Sequence, residues 1–171
     1  MLQEGLGRIG RTVRQLLDFA REVRPQLTRT ALAPLVHRCL ALLEHELAAR
    51  RISSAVSVDP ALPALVADPH QLEQVFLNIL MNALQSMPTG WSLTVSAGRR
   101  ESEAGSFVEV RIADTGGGIA PDTLPRIFDP FFTTKEVGEG TGLGLSVSYG
   151  IVQAHGGVIE ALACNGLELQ V

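Results

Sequence analysis

The segment Pro69–Ser86, PHQLEQVFLNILMNALQS, leaves the chain the fewest options. Wound as a helix at 100° per residue, it places Gln71, Gln74, Asn78, Asn82 and Gln85 inside one arc of about 80°. Almost everything else on it is apolar, including Leu72, Val75, Phe76, Leu77, Ile79, Leu80, Met81, Ala83 and Leu84. A helix apolar nearly all round belongs inside a fold. Its narrow amide stripe has two readings. One turns it to solvent, although solvent stripes usually carry Lys and Glu, which hydrate well. The other turns it into a cleft holding a hydrated ion or a polar ligand, and the helix alone leaves both open. Its ends are marked: Asp68 as N-cap, Pro69 in the first turn and Gln71 at the capping-box position, with Pro88 and Gly90 beyond the last turn.

The remaining elements follow from period and punctuation. Leu2, Leu6, Ile9, Val13, Leu16, Ala20 and Val23 are spaced alternately four and three apart, a heptad seam of the kind that pairs helices. Gly5, Gly7 and Gly10 weaken its start, and Pro25 ends it. A short strand is predicted over 26–32 and a helix from Pro34 to Arg50, with Leu35, Val36, Leu40, Leu43 and Leu47 on one side. Further strands are predicted over 52–58 and 65–67. Residues 91–100 and 107–114 read as a hairpin with a loop over 101–106. Residues 115–141, rich in Gly, Pro and Thr, form a long segment without a period, and such segments are usually functional or mobile. A helix over 142–155 and strands over 158–163 and 167–171 complete the order, the last strand forming a sheet edge. Helices alternating with mostly antiparallel strands predict an α/β (α+β) two-layer sandwich. Its sheet is mixed, mostly antiparallel and covered on one face by three helices, with an N-terminal helix added.

Composition narrows the function. Apolar residues make up 46% and charged residues 19% of 171, as in a globular protein. The net charge of −4 with scattered Lys and Arg argues against a nucleic-acid partner. No apolar run reaches the roughly twenty residues of a membrane span. Cys39 and Cys164 stand in no metal-ligand spacing and read as reduced thiols in a cytoplasmic domain.

Three stretches besides the helix carry chemistry. At Asp114-Thr115-Gly116-Gly117-Gly118 a strand ends in a carboxylate and turns at once on glycines. The carboxylate can accept from an exocyclic amine, and glycine lets a flat ring approach the main chain; the bland alternative is an ordinary Asp-Gly turn. Gly140-Thr141-Gly142-Leu143-Gly144-Leu145 opens a helix, where unpaired N–H groups and the positive dipole end suit phosphate. Between them lies Ile127-Phe128-Asp129-Pro130-Phe131-Phe132-Thr133-Thr134-Lys135. Exposing its three phenylalanines is costly, so they are expected to anchor the segment to the domain.

In this order and spacing the stretches resemble the boxes of sensor histidine kinases. Asn78-x-x-x-Asn82-Ala83 is similar to the N box, Asp114 to Gly118 to the first glycine box, Phe128 to Phe132 to the F box, and Gly140 to Leu145 to the second glycine box. Arg8 to Arg21 resembles the second helix of the family's dimerisation and phosphotransfer hairpin. The resemblance implies a partial hairpin over 1–24 and a catalytic ATP-binding domain over 25–171, with a lid at 115–141. It implies Mg²⁺ on Asn82, support of the ion or phosphates by Asn78, and adenine on Asp114 with Gly116, Gly118 and Ile119 along the purine. It places phosphates against Gly140, Thr141, Gly142, Leu143, Gly144 and Leu145. Lys135 becomes a γ-phosphate contact, and Gln85 stands where the family often has Lys. The implied cofactors are ATP or ADP and Mg²⁺. The implied partners are the kinase's own hairpin helices, a response regulator and, through the N-terminal helix, a second copy of the chain.

Related gyrase- and Hsp90-type ATPases carry a Glu four residues before the metal Asn to activate water; here that residue is Asn78. This favours phosphoryl transfer to a protein side chain over hydrolysis. None of His37, His45, His70 and His155 has the context of the family's phosphoacceptor, so no self-phosphorylation within these residues is expected. A non-enzymatic module pairing through the heptad helix is the remaining alternative, and the intact boxes disfavour it.

Overall fold

The computed structural model describes residues 24–171 except 88, 103–104, 136–139, 163–165 and 171. The heptad segment, and the dimer expected through it, lie outside the described residues. The elements are β1 (Thr28–Thr30), α1 (Leu32–Leu42), α2 (Glu44–Ala49), β2 (Ser53–Val58), β3 (Leu65–Ala67), α3 (Pro69–Ser86), β4 (Ser92–Ser102), β5 (Gly105–Asp114), α4 (Gly144–Ala154), β6 (Val158–Leu162) and β7 (Gly166–Gln170).

Five strands form one sheet in the order β2-β4-β5-β7-β6. β2 runs parallel to β4, and the other pairs are antiparallel. Strand alternation sorts the faces. Leu93, Val95 and Ala97 of β4 and Val108, Val110 and Ile112 of β5 are buried, while Thr94 and Arg111 are exposed. The buried side meets Leu72, Val75, Phe76, Ile79, Leu80, Ala83 and Leu84 of α3 in one core, which Leu35, Val36 and Cys39 of α1 and Val152 of α4 extend. The predicted two-layer α+β architecture is therefore the observed one. Burial pushes the Cys39 thiol up to about 11, with the Glu73 charge adding to it, so this cysteine is chemically quiet.

Several expected boundaries move. The single helix over 34–50 is two: it begins at Leu32, with Pro34 in its first turn, and breaks at Leu43. Leu40, Leu43 and Leu47 are all buried, and the kink at Leu43 lets a short second helix keep its apolar side on the core. The strand expected over 26–32 shrinks to Thr28–Thr30, because it pairs only with β3 in a separate two-stranded sheet. The β4–β5 ladder continues to Ser102↔Gly105, so its loop is shorter than predicted. β7, expected at an edge, lies between β5 and β6.

Asp68 ties two other parts of the chain to the start of α3. Its Oδ1 accepts from His70 N at 2.9 Å and Gln71 N at 3.2 Å, as an N-cap should. Its Oδ2 accepts from Gln26 N at 2.8 Å, which fastens the segment leading in from the heptad region. The Asp68 N–H, the donor that a capping box reserves for the Gln71 side chain, goes instead to His155 Nε2 at 2.9 Å. The other ring nitrogen of His155, Nδ1, pairs with Ile151 O at 2.8 Å. Accepting at Nε2 requires the neutral ring with its proton on Nδ1. Burial alone would raise the Asp68 carboxyl, but the N–H groups of Gln26, Gln71 and His70, with the His70 charge, hold it below its ordinary value.

Asp68→Ala is expected to lower unfolding stability at pH 7 by about 1–2 kcal/mol, measured by urea denaturation. Because the folded carboxyl is depressed, its contribution is complete above the unfolded value of about 3.9 and is lost as pH falls through the lower folded value. The gap between wild type and variant should close over that acid window, and a gap constant down to pH 2 would contradict this account.

Candidate functional site

Four contacts along α3 bring the start of α4, Lys135 and the Asp114 turn against that helix. Nearest its middle, Asn78 Nδ2 donates to Gly144 O at 3.0 Å and to Ser148 Oγ at 3.3 Å. Ser148 is fully buried, and its hydroxyl donates to the same Gly144 carbonyl at 2.9 Å. Asn78 thus binds the first turn of α4 to α3. One turn on, Asn82 Oδ1 accepts from Lys135 Nζ at 3.3 Å. Gln85 Oε1 accepts from the same ammonium. At the helix end, Ser86 abuts the turn after β5: a Cβ on Gly116 would lie 3.2 Å from Ser86 Oγ and 3.3 Å from Ser86 O.

Asp114 reaches α3 through strand register. It lies opposite Leu93 and shares the parity of Val108, Val110 and Ile112, so it continues the helix-facing side of β5 beyond the core. Its Oδ1 accepts from Gly116 N at 2.8 Å, which orients the carboxylate. A Cβ on Gly116 would sit 2.5 Å from that oxygen, so the carboxylate needs glycine there. Gly118 adopts φ +72, and Ile119 is half-buried against the core. The Asp114 turn thus meets α3 at Ser86, one turn beyond Asn82.

The segment over 115–141 is seated at both ends, and 136–139 are not described. Ile127 is buried. The Phe128 ring meets Tyr149 of α4 at 5.5 Å between centroids, and Arg126 lies 4.5 Å over the Phe132 ring. Phe131 departs from expectation: it is 61% exposed with φ +67, so its side chain is not buried with those of Phe128 and Phe132. The cause is backbone pairing. Phe131 N donates to Gly142 O at 2.9 Å, and Gly142, at φ +66, lies so close that a Cβ would meet the Phe131 carbonyl carbon at 2.3 Å. Gly140 makes similar room for Thr133 and Lys135, its hypothetical Cβ falling 2.6 Å from Thr133 Oγ1 and 3.3 Å from Lys135 Cδ.

Leu143 is 1% exposed and Leu145 packs on the core, so their side chains belong to the fold and only their main chain is left to meet a ligand. The α4 N-terminus has no side-chain cap, and Thr141 and Gly142 precede it half-buried. Such an end presents N–H groups to an anion. Sequence reasoning missed Ser148 and Ser86. The signal for Ser148 was a hydroxyl four residues after Gly144 in an otherwise apolar helix, a spacing that suits back-bonding.

The donors fit a hard divalent ion shared with phosphates. No cluster of three His, Cys, Asp or Glu suited to a metal occurs among the described residues. Asn82, however, presents an amide oxygen that already faces a cation, the Lys135 ammonium. Mg²⁺ characteristically takes few protein oxygens and completes its shell with water and phosphate.

Residues 67–168 match the family described as histidine kinase-, DNA gyrase B-, and HSP90-like ATPase, and the chain belongs to it. Among individual proteins, the chain is 38% identical over 159 residues to the sensor histidine kinase ZraS of Escherichia coli (strain K12), covering 93% of the chain and 33% of that protein. It is 37% identical to the sensor kinase CckA of Brucella abortus (strain 2308), covering 92% of the chain and 18% of that protein. The chain thus spans about a third or less of these relatives. In structure it resembles full-length ShkA, solved in complex with AMPPNP, at a TM-score of 0.83 and 27% identity, covering 99% of the chain and 36% of ShkA. It also resembles the catalytic domain of histidine kinase ThkA, at 0.73 and 26%, covering 85% of the chain and 93% of that domain. Among the described residues no helix is long and apolar enough to cross a membrane.

Gly142→Ala would place a methyl group on the Phe131 backbone in a left-handed conformation that costs about 1–2 kcal/mol by itself. It is expected to unseat the lid before the core. Chymotrypsin should then cut after Phe131 or Phe132 faster than in wild type, while the urea midpoint falls only modestly. Unchanged cleavage would show that the Phe131–Gly142 pairing does not hold the lid.

Proposed function

We propose that this chain is the ATP-binding catalytic domain of a sensor histidine kinase, which positions Mg²⁺-ATP for phosphoryl transfer to a histidine elsewhere in the protein. The observation that carries the proposal is the convergence, along one flank of α3, of Asn82, Lys135, the Asp114 turn and the uncapped start of α4. Family membership and the sensor-kinase relatives support the same reading.

In this reading Asp114 accepts the adenine amine through Oδ2, since Gly116 N engages Oδ1. Gly116, Gly118 and Ile119 lie along the purine. The N–H groups from Gly140 to Leu145 face the phosphates at the positive end of α4. Asn82 gives its amide oxygen to the ion. Asn78 acts at one remove: its amide holds Gly144 and Ser148, so its part is to keep the phosphate seat at a fixed distance from the metal oxygen. Lys135 and Gln85 stand at the lid side, with Lys135 the contact for the γ-phosphate. Mg²⁺, when bound with the nucleotide, supplies neutralisation of charge on the β- and γ-phosphates.

Hydrolysis is disfavoured by the residues at hand. Asn78 is an amide, and the one carboxylate on α3, Glu73, pairs with Arg38 of α1 at 3.1 Å. Neither is a general base for water at this site. The receiving histidine, a response regulator and a cytoplasmic setting for the domain belong to this proposal, as does dimerisation through the heptad helix.

The test is a thermal-shift titration with ADP, with and without Mg²⁺. At a hundred times its dissociation constant a ligand stabilises by about 2.7 kcal/mol, which for this size raises the melting temperature on the order of 5–10 °C. Asp114→Asn should abolish the shift, and Asn82→Ala should remove its Mg²⁺ dependence. Equal shifts in wild type and Asp114→Asn would place the adenine elsewhere and sink the proposal.

A further inference from the structure

We propose that Lys135 is a latch that competes with the divalent ion for Asn82. In this view Gln85 and Asn82 together hold the lid ammonium on α3, and an ion arriving at Asn82 Oδ1 drives it off. The inference rests on the nucleotide-site reading above and extends it to how the lid is held.

The contact is built from both sides. On α3, Asn82 and Gln85 are three residues apart and so share a flank. Their amide oxygens accept from one ammonium, Asn82 Oδ1 at 3.3 Å and Gln85 Oε1 beside it. On the lid, the lysine stem follows a defined path. Lys135 N donates to Thr133 Oγ1 at 3.2 Å, and the stem passes Gly140 where a Cβ would approach Lys135 Cδ to 3.3 Å and Cβ to 3.5 Å. The lid thus reaches α3 through an oriented cation rather than a loose surface lysine.

The competition follows from charge and size. An oxygen that ligates Mg²⁺ lies about 2.0–2.1 Å from it. An ammonium on that same oxygen would face a double positive charge at close range, with no anion on α3 between them. One occupant has to leave. Ion binding therefore releases Lys135, which is then free to turn to phosphate, the nearest anion in the proposed complex. Linkage makes the effect reciprocal: whatever holds Lys135 on α3 raises the ion concentration needed at Asn82. Gln85 becomes the positioning residue of the latch. Its amide oxygen holds the ammonium on α3 beside Asn82.

The experiment uses the intact 171-residue chain and the variants Lys135→Met, Gln85→Leu and the double substitution. Calorimetry of ADP binding over a series of free Mg²⁺ concentrations gives the half-saturating ion concentration. ADP is chosen because it has no γ-phosphate for Lys135 to lose. Each single variant should lower that midpoint about three- to tenfold, the range for one partly exposed charged hydrogen bond, and the double variant should add nothing further. A second arm follows amide hydrogen exchange over residues 131–142 without nucleotide. Exchange should rise by a similar factor in Lys135→Met. Unchanged ion midpoints in both single variants, or full additivity in the double, would overturn the latch. A chain that bound no adenine nucleotide would overturn the site reading instead. The exchange arm needs none, and unaltered exchange in Lys135→Met would still overturn the latch.

Discussion

Burial of α3 is the constraint on which the rest of the molecule depends. The helix is apolar on the sides that meet the sheet, α1 and α4, and those contacts set its rotation about its own axis. Once that rotation is set, the amide stripe has one direction left. Gln71, Gln74, Asn78 and Asn82 are half-buried, and only Gln85 at its end is exposed. A stripe facing bulk solvent would be exposed throughout; here α4 and the lid lie against it at Asn78 and Asn82. Each motif then docks at its own turn of the helix: α4 at Asn78, the lid at Asn82 and Gln85, the Asp114 turn at Ser86.

The site's polar side chains share the task of fixing distances. Asn78 donates to both the Gly144 carbonyl and the Ser148 hydroxyl, so the start of α4 cannot drift from α3 without breaking two hydrogen bonds in a partly desolvated place. Gly116 and Asp114 form a second rigid unit, in which the glycine N–H orients the carboxylate and the missing Cβ makes room for it. The glycine-rich character of both boxes thus has two physical causes, close approach of main chain and left-handed backbone, and Gly142 needs both. Far from the lid, Asp68 gathers the incoming chain at Gln26, the start of α3 and, through its own N–H, His155 at the end of α4. Helix α4 is therefore tied at both of its ends, to the start and to the middle of α3.

Much of this was readable from residues alone, and unevenly so. The bounds of α3 and β3 agree with expectation residue for residue, because Asp68, Pro69 and the apolar run are local signals that tertiary packing reinforces. The kink at Leu43 was not readable, since Leu40, Leu43 and Leu47 also fit one continuous amphipathic helix and only the shape of the core rejects it. Phe131 misled for a similar reason. Hydrophobicity said inward, but the hydrogen bond to Gly142 and the left-handed backbone it requires turned the side chain out. The inward parity of Asp114 was present in the alternation of Val108, Val110 and Ile112, though its consequence appears only when β5 is placed under α3.

Local chemistry, then, was written in the order of residues: which helix is buried, where it starts, which turns need glycine, and which carboxylate and amides are suited to a nucleotide and its ion. These depend on periods and conformational preferences that span a few residues. What packing alone decided is who meets whom. That Asn78 holds a helix start, that the Asp68 N–H belongs to His155, and that Lys135 reaches across 53 positions to Asn82 are contacts between distant parts of the chain. No local preference encodes them; they arise because one core must satisfy the sheet, four helices and a lid at the same time.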